Sequence, residues 1–212
     1  MFTKYKYPRT QHLPYSESLT DDDKRLDNDD IFKNMEIVIT EKMDGENTTI
    51  YSNGDYHARS LDSKHKEYHS WLLSYIPTFS YLIPENYRIC GEYLYAKHSI
   101  YYENLENYFY VFSVWNGDDC LSWEETEKFC NNLNLHLVPV LYKGIYDKNI
   151  CMQIAKDILK SGGEGFVVRN INGFKYADFG KNVAKFVRKN HVQTDIHWTN
   201  SQIIPNQLKT QN

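Results

Sequence analysis

Two β-branched runs joined by a charged turn constrain this chain more than anything else in it. Residues 36–40 read Glu-Ile-Val-Ile-Thr and residues 47–51 read Asn-Thr-Thr-Ile-Tyr, a composition that favours strands. Between them stands Glu41-Lys42-Met43-Asp44-Gly45-Glu46, whose Asp-Gly pair is a strong turn signal. The segment therefore reads as strand, Lys42 at the strand end, sharp turn, strand. It also sets one lysine among carboxylates, and a lysine held that way can act as a nucleophile toward phosphorus.

The same grammar continues along the chain. Residues 36–62 fit paired strands, with Asn53-Gly54 as a second hairpin turn. Residues 64–76 read as a helix stopped by Pro77, and strands follow at about 87–95 and 108–115. A helix opens after Ser122, the expected N-cap, with Glu125 as its capping-box partner. A strand at 137–142, a helix at 150–160 and strands near 165–169 and 183–188 complete the pattern. Antiparallel sheet with a few flanking helices is an α+β domain. Residues 1–35, with Pro8, Pro14 and an acidic cluster, read as a loop-rich lead-in, and residues 199–212 as a polar, loose tail.

With 212 residues the chain suits one domain with a real core. No apolar run reaches the roughly 20 residues needed to span a bilayer, and the first residues lack a signal-type stretch, so a cytoplasmic protein is expected. Cys90, Cys120, Cys130 and Cys151 lie far apart with no Cys-x-x-Cys pair, which favours structural free thiols over zinc or disulfides. The net charge of −4 hides a gradient, acidic over residues 21–30 and basic over 181–191, and a local basic strip is what a phosphate backbone would feel.

Four further segments carry chemistry-bearing residues. They are Cys90-Gly91-Glu92-Tyr93, Gly163-Glu164-Gly165 entering an apolar strand, Val183-Ala184-Lys185-Phe186-Val187 with a lysine inside a strand, and His57-Ala58-Arg59-Ser60. Each alone has a bland explanation as a solvated strand end or surface lysine. Their joint order, Lys-x-Asp-Gly, Gly-Glu, Glu-Gly-apolar and a strand lysine, resembles the covalent nucleotidyltransferases, the superfamily of polynucleotide ligases and RNA-capping enzymes. Longer runs at residues 7–14, 40–48, 57–62, 91–100 and 191–198 resemble the ATP-dependent RNA ligases that seal nicks ending in a ribonucleotide 3′-OH.

The resemblance implies a ligase adenylylation fold (ATP-grasp-like, with antiparallel sheets) over residues 1–198, and ATP with Mg²⁺ or Mn²⁺ as cofactors. Lys42 would attack the α-phosphorus of ATP, AMP would pass to a 5′-phosphate end, and a 3′-OH would displace it. It implies Lys42, Asp44, Glu92, Glu164 and Lys185 as the catalytic set. Glu41, Lys42, Met43, Arg59, Glu92, Phe112 and Lys185 would bind the nucleotide, with Phe112 stacking on adenine. Asp44, Glu92 and Glu164 would surround the metal. Arg9, Arg59, Arg188 and Lys189 would grip nucleic acid, either RNA or an RNA/DNA duplex with nicks or breaks, the protein acting as a monomer. His12, His98 and His191 lie in the family runs without a chemical assignment.

The last motif departs from the pattern. Many relatives carry Lys-x-Lys there, whereas this chain has only Lys185, so Lys181 or Arg188 supplies the second cation or one contact is missing. About 40 residues precede Lys42 and 14 follow Trp198, too few for an added barrel, which makes end joining less secure than adenylylation. Alternatives are a GTP-dependent capping guanylyltransferase, a DNA-only ligase and a non-catalytic RNA-binding relative.

Overall fold

A computed structural model describes residues 3–18, 23–63, 65–189 and 203–210. The first half contributes strands β1 (Gln11–His12), β2 (Glu36–Lys42), β3 (Glu46–Tyr51), β4 (Tyr56–Ala58), β5 (Tyr87–Tyr93) and β6 (Phe109–Asn116), with helix α1 (Ser70–Tyr75) before β5. The second half adds β7 (Asp119–Cys120), α2 (Trp123–Asn132), β8 (His136–Leu137), β9 (Val140–Ile145) and α3 (Lys148–Ser161). It closes with β10 (Gly165–Asn170), β11 (Phe174–Lys175), α4 (Phe179–Asn182) and β12 (Val183–Val187).

The strands form two sheets. One runs β1-β12-β10-β2-β9, and the other β11-β7-β6-β5-β3-β4 with β8 beside β6. The expected α+β class holds, but one pairing does not. β2 and β3 flank the Lys42 turn and yet are not hairpin partners, because β2 pairs with β9 and β10 while β3 pairs with β4 and β5. The turn carries the chain from one sheet to the other. Burial on both faces of β2 explains this: Ile37 and Ile39 pack toward α3, and Val38 packs into the other sheet's core.

Other elements differ in detail. The 137–142 run splits into β8 and β9, one in each sheet, across Pro139, which has no N–H for a ladder. The 64–76 helix shrinks to α1 between two 3₁₀ turns, Glu67–His69 and Ile76–Thr78. Asn53-Gly54 does turn β3 into β4, with Gly54 at φ 80°. Ser122 and Glu125 form the expected reciprocal cap of α2. Asn206 of the nominally loose tail is buried, 2% exposed.

Helices α1 and α2 cover the larger sheet, burying Leu72, Trp123 and Cys130 against Ile50, Ile89 and Val111. Helix α3 lays Cys151 and Ala155 on Ile39, Phe166 and Phe186 of the smaller sheet. A third cluster, Tyr7, Cys90, Trp115, Cys120, Phe179 and Val183, joins the two sheets. All four cysteines are buried free thiols. Among the described residues, no helix is long and apolar enough to cross a membrane.

Candidate active site

Strand alternation decides which side chains meet between the sheets. On β2, Thr40 and Lys42 share the face opposite Ile37 and Ile39; on β10, Val167 and Arg169 share the face opposite Phe166 and Val168. Register places Val167 opposite both Thr40 and Lys185, and Gly165 opposite Lys42. From the other sheet, Asn47 on β3 stands opposite Glu92 on β5. Thr40, Lys42, Asn47, Glu92, Val167, Arg169 and Lys185 line a cavity of about 690 Å³, together with Glu41, Met43, Arg59, Lys66, His98, Phe112 and Val138.

Phe112 reaches the cavity through a defect in the ladder. Between Cys90↔Ser113 and Gly91↔Val111 the register shifts, leaving Phe112 as the extra residue of a bulge. A bulge re-aims its side chain, and here the ring meets Tyr7 edge-on at 5.1 Å. Simple alternation over 108–115 could not have revealed that.

Lys42 Nζ lies 2.6 Å from Glu164 Oε1, with 25% of the lysine side chain still exposed. Glu164 and Asp44 act on Lys42 but are not among the residues lining the cavity. Burial alone would pull the Lys42 ammonium down, but Glu164, Glu92 and Asp44 outweigh it and hold the amine above its ordinary pKa. Burial pushes Glu92 up to about 8, although Lys42 opposes that, and Gly45 N–H donates to Glu92 Oε1 at 3.1 Å. Burial also lowers the Lys185 ammonium, and Lys42 adds to this against Asp23, 3.4 Å away. Asp23 also meets His12 Nε2 at 3.2 Å, and burial with Lys185 pushes that imidazole down to about 4.

Asp44 is held by hydrogen bonds to the 94–105 loop. Its Oδ2 accepts N–H bonds from Ser99 and Ile100, both at 2.7 Å, and its own N–H donates to the Tyr102 hydroxyl at 2.9 Å. The carboxylate thus pins the turn to the 94–105 loop. Among the described residues, no group of three or more His, Cys, Asp or Glu side chains forms a ready metal cage. Glu92, which lines the cavity, fits a Mg²⁺ carried in on phosphate oxygens, since this ion usually takes one or two carboxylates plus phosphate and water.

The cations sort into two groups. Arg59 lines the cavity, and burial with the nearby Arg9 charge lowers its guanidinium pKa. Arg188 lies outside the cavity lining and donates to Gly163 O at 2.6 Å and Gly162 O at 3.4 Å, tying the end of α3 to β12. Lys189 is also outside the lining, its N–H on Glu17 Oε2 at 3.0 Å, and Lys181 pairs with Asp178 at 2.8 Å. The basic 181–191 run is therefore no continuous strip over its described part. His191 and the 191–198 run lie outside the described residues.

Sequence reasoning missed Arg169, which is 4% exposed, lines the cavity and donates to the Tyr7 hydroxyl at 3.4 Å. Lys181 and Arg188, by contrast, are not among the residues lining the cavity. The signal for Arg169 was available: Gly165, Val167 and Arg169 share a strand face, so an arginine follows Val167 toward the cavity. Asn47 and Lys66 were missed as well, and only a fold could bring them to the same wall.

Comparison with solved structures identifies the fold as that of ATP-dependent polynucleotide ligases. An archaeal ATP-dependent RNA ligase superposes with a TM-score of 0.56 at 16% identity, covering 86% of this chain and 48% of that one. A Naegleria gruberi RNA ligase with PPi gives 0.56 at 19%, covering 90% and 64%. A protein from Aquifex aeolicus, provisionally an ATP-dependent DNA ligase, gives 0.52 at 22%, covering 74% and 44%. The chain thus spans about half to two thirds of these relatives' length. Among curated proteins none matches. The sequence profile of the RNA ligase family matches residues 35–187, and the chain belongs to that family.

Proposed function

We propose that this chain is the adenylylating unit of an ATP-dependent RNA ligase, joining 3′-OH and 5′-phosphate ends through lysyl-AMP and an AMP-capped 5′ end. The observation that carries the reading is Lys42, lining a cavity with Lys185 and Arg169 while its amine pairs with Glu164. About 690 Å³ suits a nucleotide, and Phe112, Met43 and Val138 supply an apolar wall for a base.

Lys42 enters this chemistry protonated, because its carboxylate neighbours raise its pKa. A divalent cation bound with the triphosphate would reverse that local field and shield the phosphate charge. Glu164 Oε1, 2.6 Å away, is within reach of the proton leaving Nζ. The neutral amine attacks the α-phosphorus; the N–P bond forms, the P–O bond to pyrophosphate breaks, and its electron pair leaves with pyrophosphate. Lys185 and Arg169 stabilise charge gathering on the non-bridging oxygens. In this reading Glu92 serves the ribose, Glu41 and Met43 border the base, and Arg59 with Arg9 receives the 5′-phosphate of the nick.

A Naegleria gruberi RNA ligase variant with this fold, solved with ATP and Mn together, supports the choice of ATP with a divalent cation, Mg²⁺ or Mn²⁺. A cytoplasmic monomer is the proposed working form, in keeping with four buried thiols. The test is a labelled 5′-phosphate at a nick, offered with ATP or GTP, and with a ribose or deoxyribose 3′ end. Sealing with ATP at a ribose end is expected. Sealing only with deoxyribose ends, or nucleotide transfer from GTP alone, would overturn the reading.

A further inference from the structure

Residues 203–210 thread along the 94–105 loop through a run of backbone hydrogen bonds. Lys97 N–H donates to Ile204 O, Asn206 N–H to Tyr95 O and Gln207 N–H to Tyr102 O, each at 2.8 Å. Leu105 N–H donates to Gln207 O at 3.0 Å, and Lys209 N–H returns to Leu105 O at 2.8 Å. Asn206 is the centre of this strap. Its Nδ2 donates to Leu94 O at 2.7 Å, its Oδ1 accepts from Tyr102 N–H at 2.9 Å, and its carbonyl accepts from the Tyr108 hydroxyl at 2.9 Å. A buried amide with a donor and an acceptor both engaged has one orientation, since a flip would face like groups at each end.

The connection continues to the nucleophile. Asn206 fixes the backbone of Tyr102, whose hydroxyl accepts the Asp44 N–H, while Ser99 and Ile100 of the same loop donate to the Asp44 carboxylate. The 94–105 loop has no regular strand or helix to hold it in place. It nonetheless grips the turn at three hydrogen bonds, two residues from Lys42.

We propose that Asn206 is a positioning residue for lysine adenylylation, acting through Tyr102 on the Lys42–Gly45 turn. The inference rests on the reading of Lys42 as the acceptor of AMP. An amine displaced by about 1 Å from its line of attack can lose about 10² in rate, so a strap that fixes the loop fixes the rate of the first step. Sealing of an end that already carries AMP uses a 3′-OH nucleophile instead, and does not need Lys42 in its attacking position.

The experiment uses the full chain as wild type, Asn206→Ala, Tyr102→Phe, the double variant and Lys209→Ala. Two rates are measured: single-turnover lysyl-AMP formation at saturating ATP and Mg²⁺, and sealing of a nick whose 5′ end is pre-adenylylated. Asn206→Ala and Tyr102→Phe should each slow lysyl-AMP formation by about 10- to 100-fold. Sealing should stay within about twofold, and the double variant should be no slower than the worse single one, as coupled residues require. Lys209→Ala, which removes only the exposed pair with Glu106, should match wild type in both assays.

Tyr102→Phe removes one hydroxyl and keeps the ring, so it tests the connection even where Asn206→Ala fails to fold. Equal loss of both rates, or a wild-type rate of lysyl-AMP formation in either single variant, would overturn the proposal. A wild-type protein that forms no lysyl-AMP would bring down the underlying reading, and the proposal with it.

Discussion

Gly45→Ala tests the geometry of the Lys42–Gly45 turn, and with it the proposed role of Lys42, with a single methyl group. A Cβ at Gly45 would stand 2.5 Å from Tyr93 O and 2.7 Å from Leu94 Cδ2, the first short by 0.9 Å of the 3.4 Å where ordinary contact begins. The Leu94 methyl can rotate away, but Tyr93 O belongs to the end of β5, which is paired to β3 on one side and β6 on the other. The turn has to yield, and Lys42 is three residues away on it. Overpacking of this kind costs about 1–3 kcal/mol of stability, which for a chain of this size lowers Tm by roughly 2–12 °C. A displacement near 0.9 Å should also slow adenylylation by about 10². The assay is single-turnover lysyl-AMP formation across ATP concentrations, beside a thermal melt. A lowered Tm with a wild-type adenylylation rate would refute the reasoning, because it would mean that the turn's position does not matter to the chemistry.

Lys42→Arg keeps a cation near Glu164 but stays protonated at any working pH, so no AMP adduct should appear by mass spectrometry. Burial raises Glu92 from 4.5 to about 8, so the unfolded chain holds fewer protons than the folded one between those values. Stability should therefore be highest below pH 4.5 as far as this group is concerned, and fall by an amount on the order of a few kcal/mol as pH rises through about 8. In Glu92→Gln, urea titrations at several pH values should show that decline flattened. Phe112→Ala should raise the ATP concentration for half-maximal adenylylation by roughly fivefold, the equivalent of about 1 kcal/mol of stacking; an unchanged value would remove the ring from the base site. Ser122→Ala should cost about 1 kcal/mol through loss of the α2 cap, read as a lower Tm with adenylylation unaffected.

What the sequence made legible is the part governed by local rules. Lys42 stood out as a lysine among carboxylates at a turn, Glu92 as a carboxylate after a glycine and Lys185 as a lysine inside a strand, and all three line the cavity. The Asn53-Gly54 turn and the Ser122 cap follow from chemistry contained in a few neighbouring residues. The rest depends on contacts between distant segments. That β2 and β3 lie in different sheets cannot be read from the turn between them, since the decision belongs to β9, β10 and β5. Phe112 faces the cavity because of a register shift against Cys90 and Gly91, and a strand read alone shows no bulge. The family resemblance placed Asp44 beside the metal, and no local pattern showed that its Oδ2 accepts from amides more than 50 residues away. Nor did the sequence show that the Arg188 guanidinium donates to the carbonyls of Gly162 and Gly163. Residues 203–210 of the polar tail looked loose for the same reason, their partners being backbone groups that composition does not display.

The most direct measurement is peptide mapping by mass spectrometry after incubation with ATP and Mg²⁺. The account predicts one AMP per chain, attached to the peptide that contains Lys42 and absent when pyrophosphate is supplied in excess. AMP on another lysine, or none under any divalent metal while the protein remains folded, would contradict it.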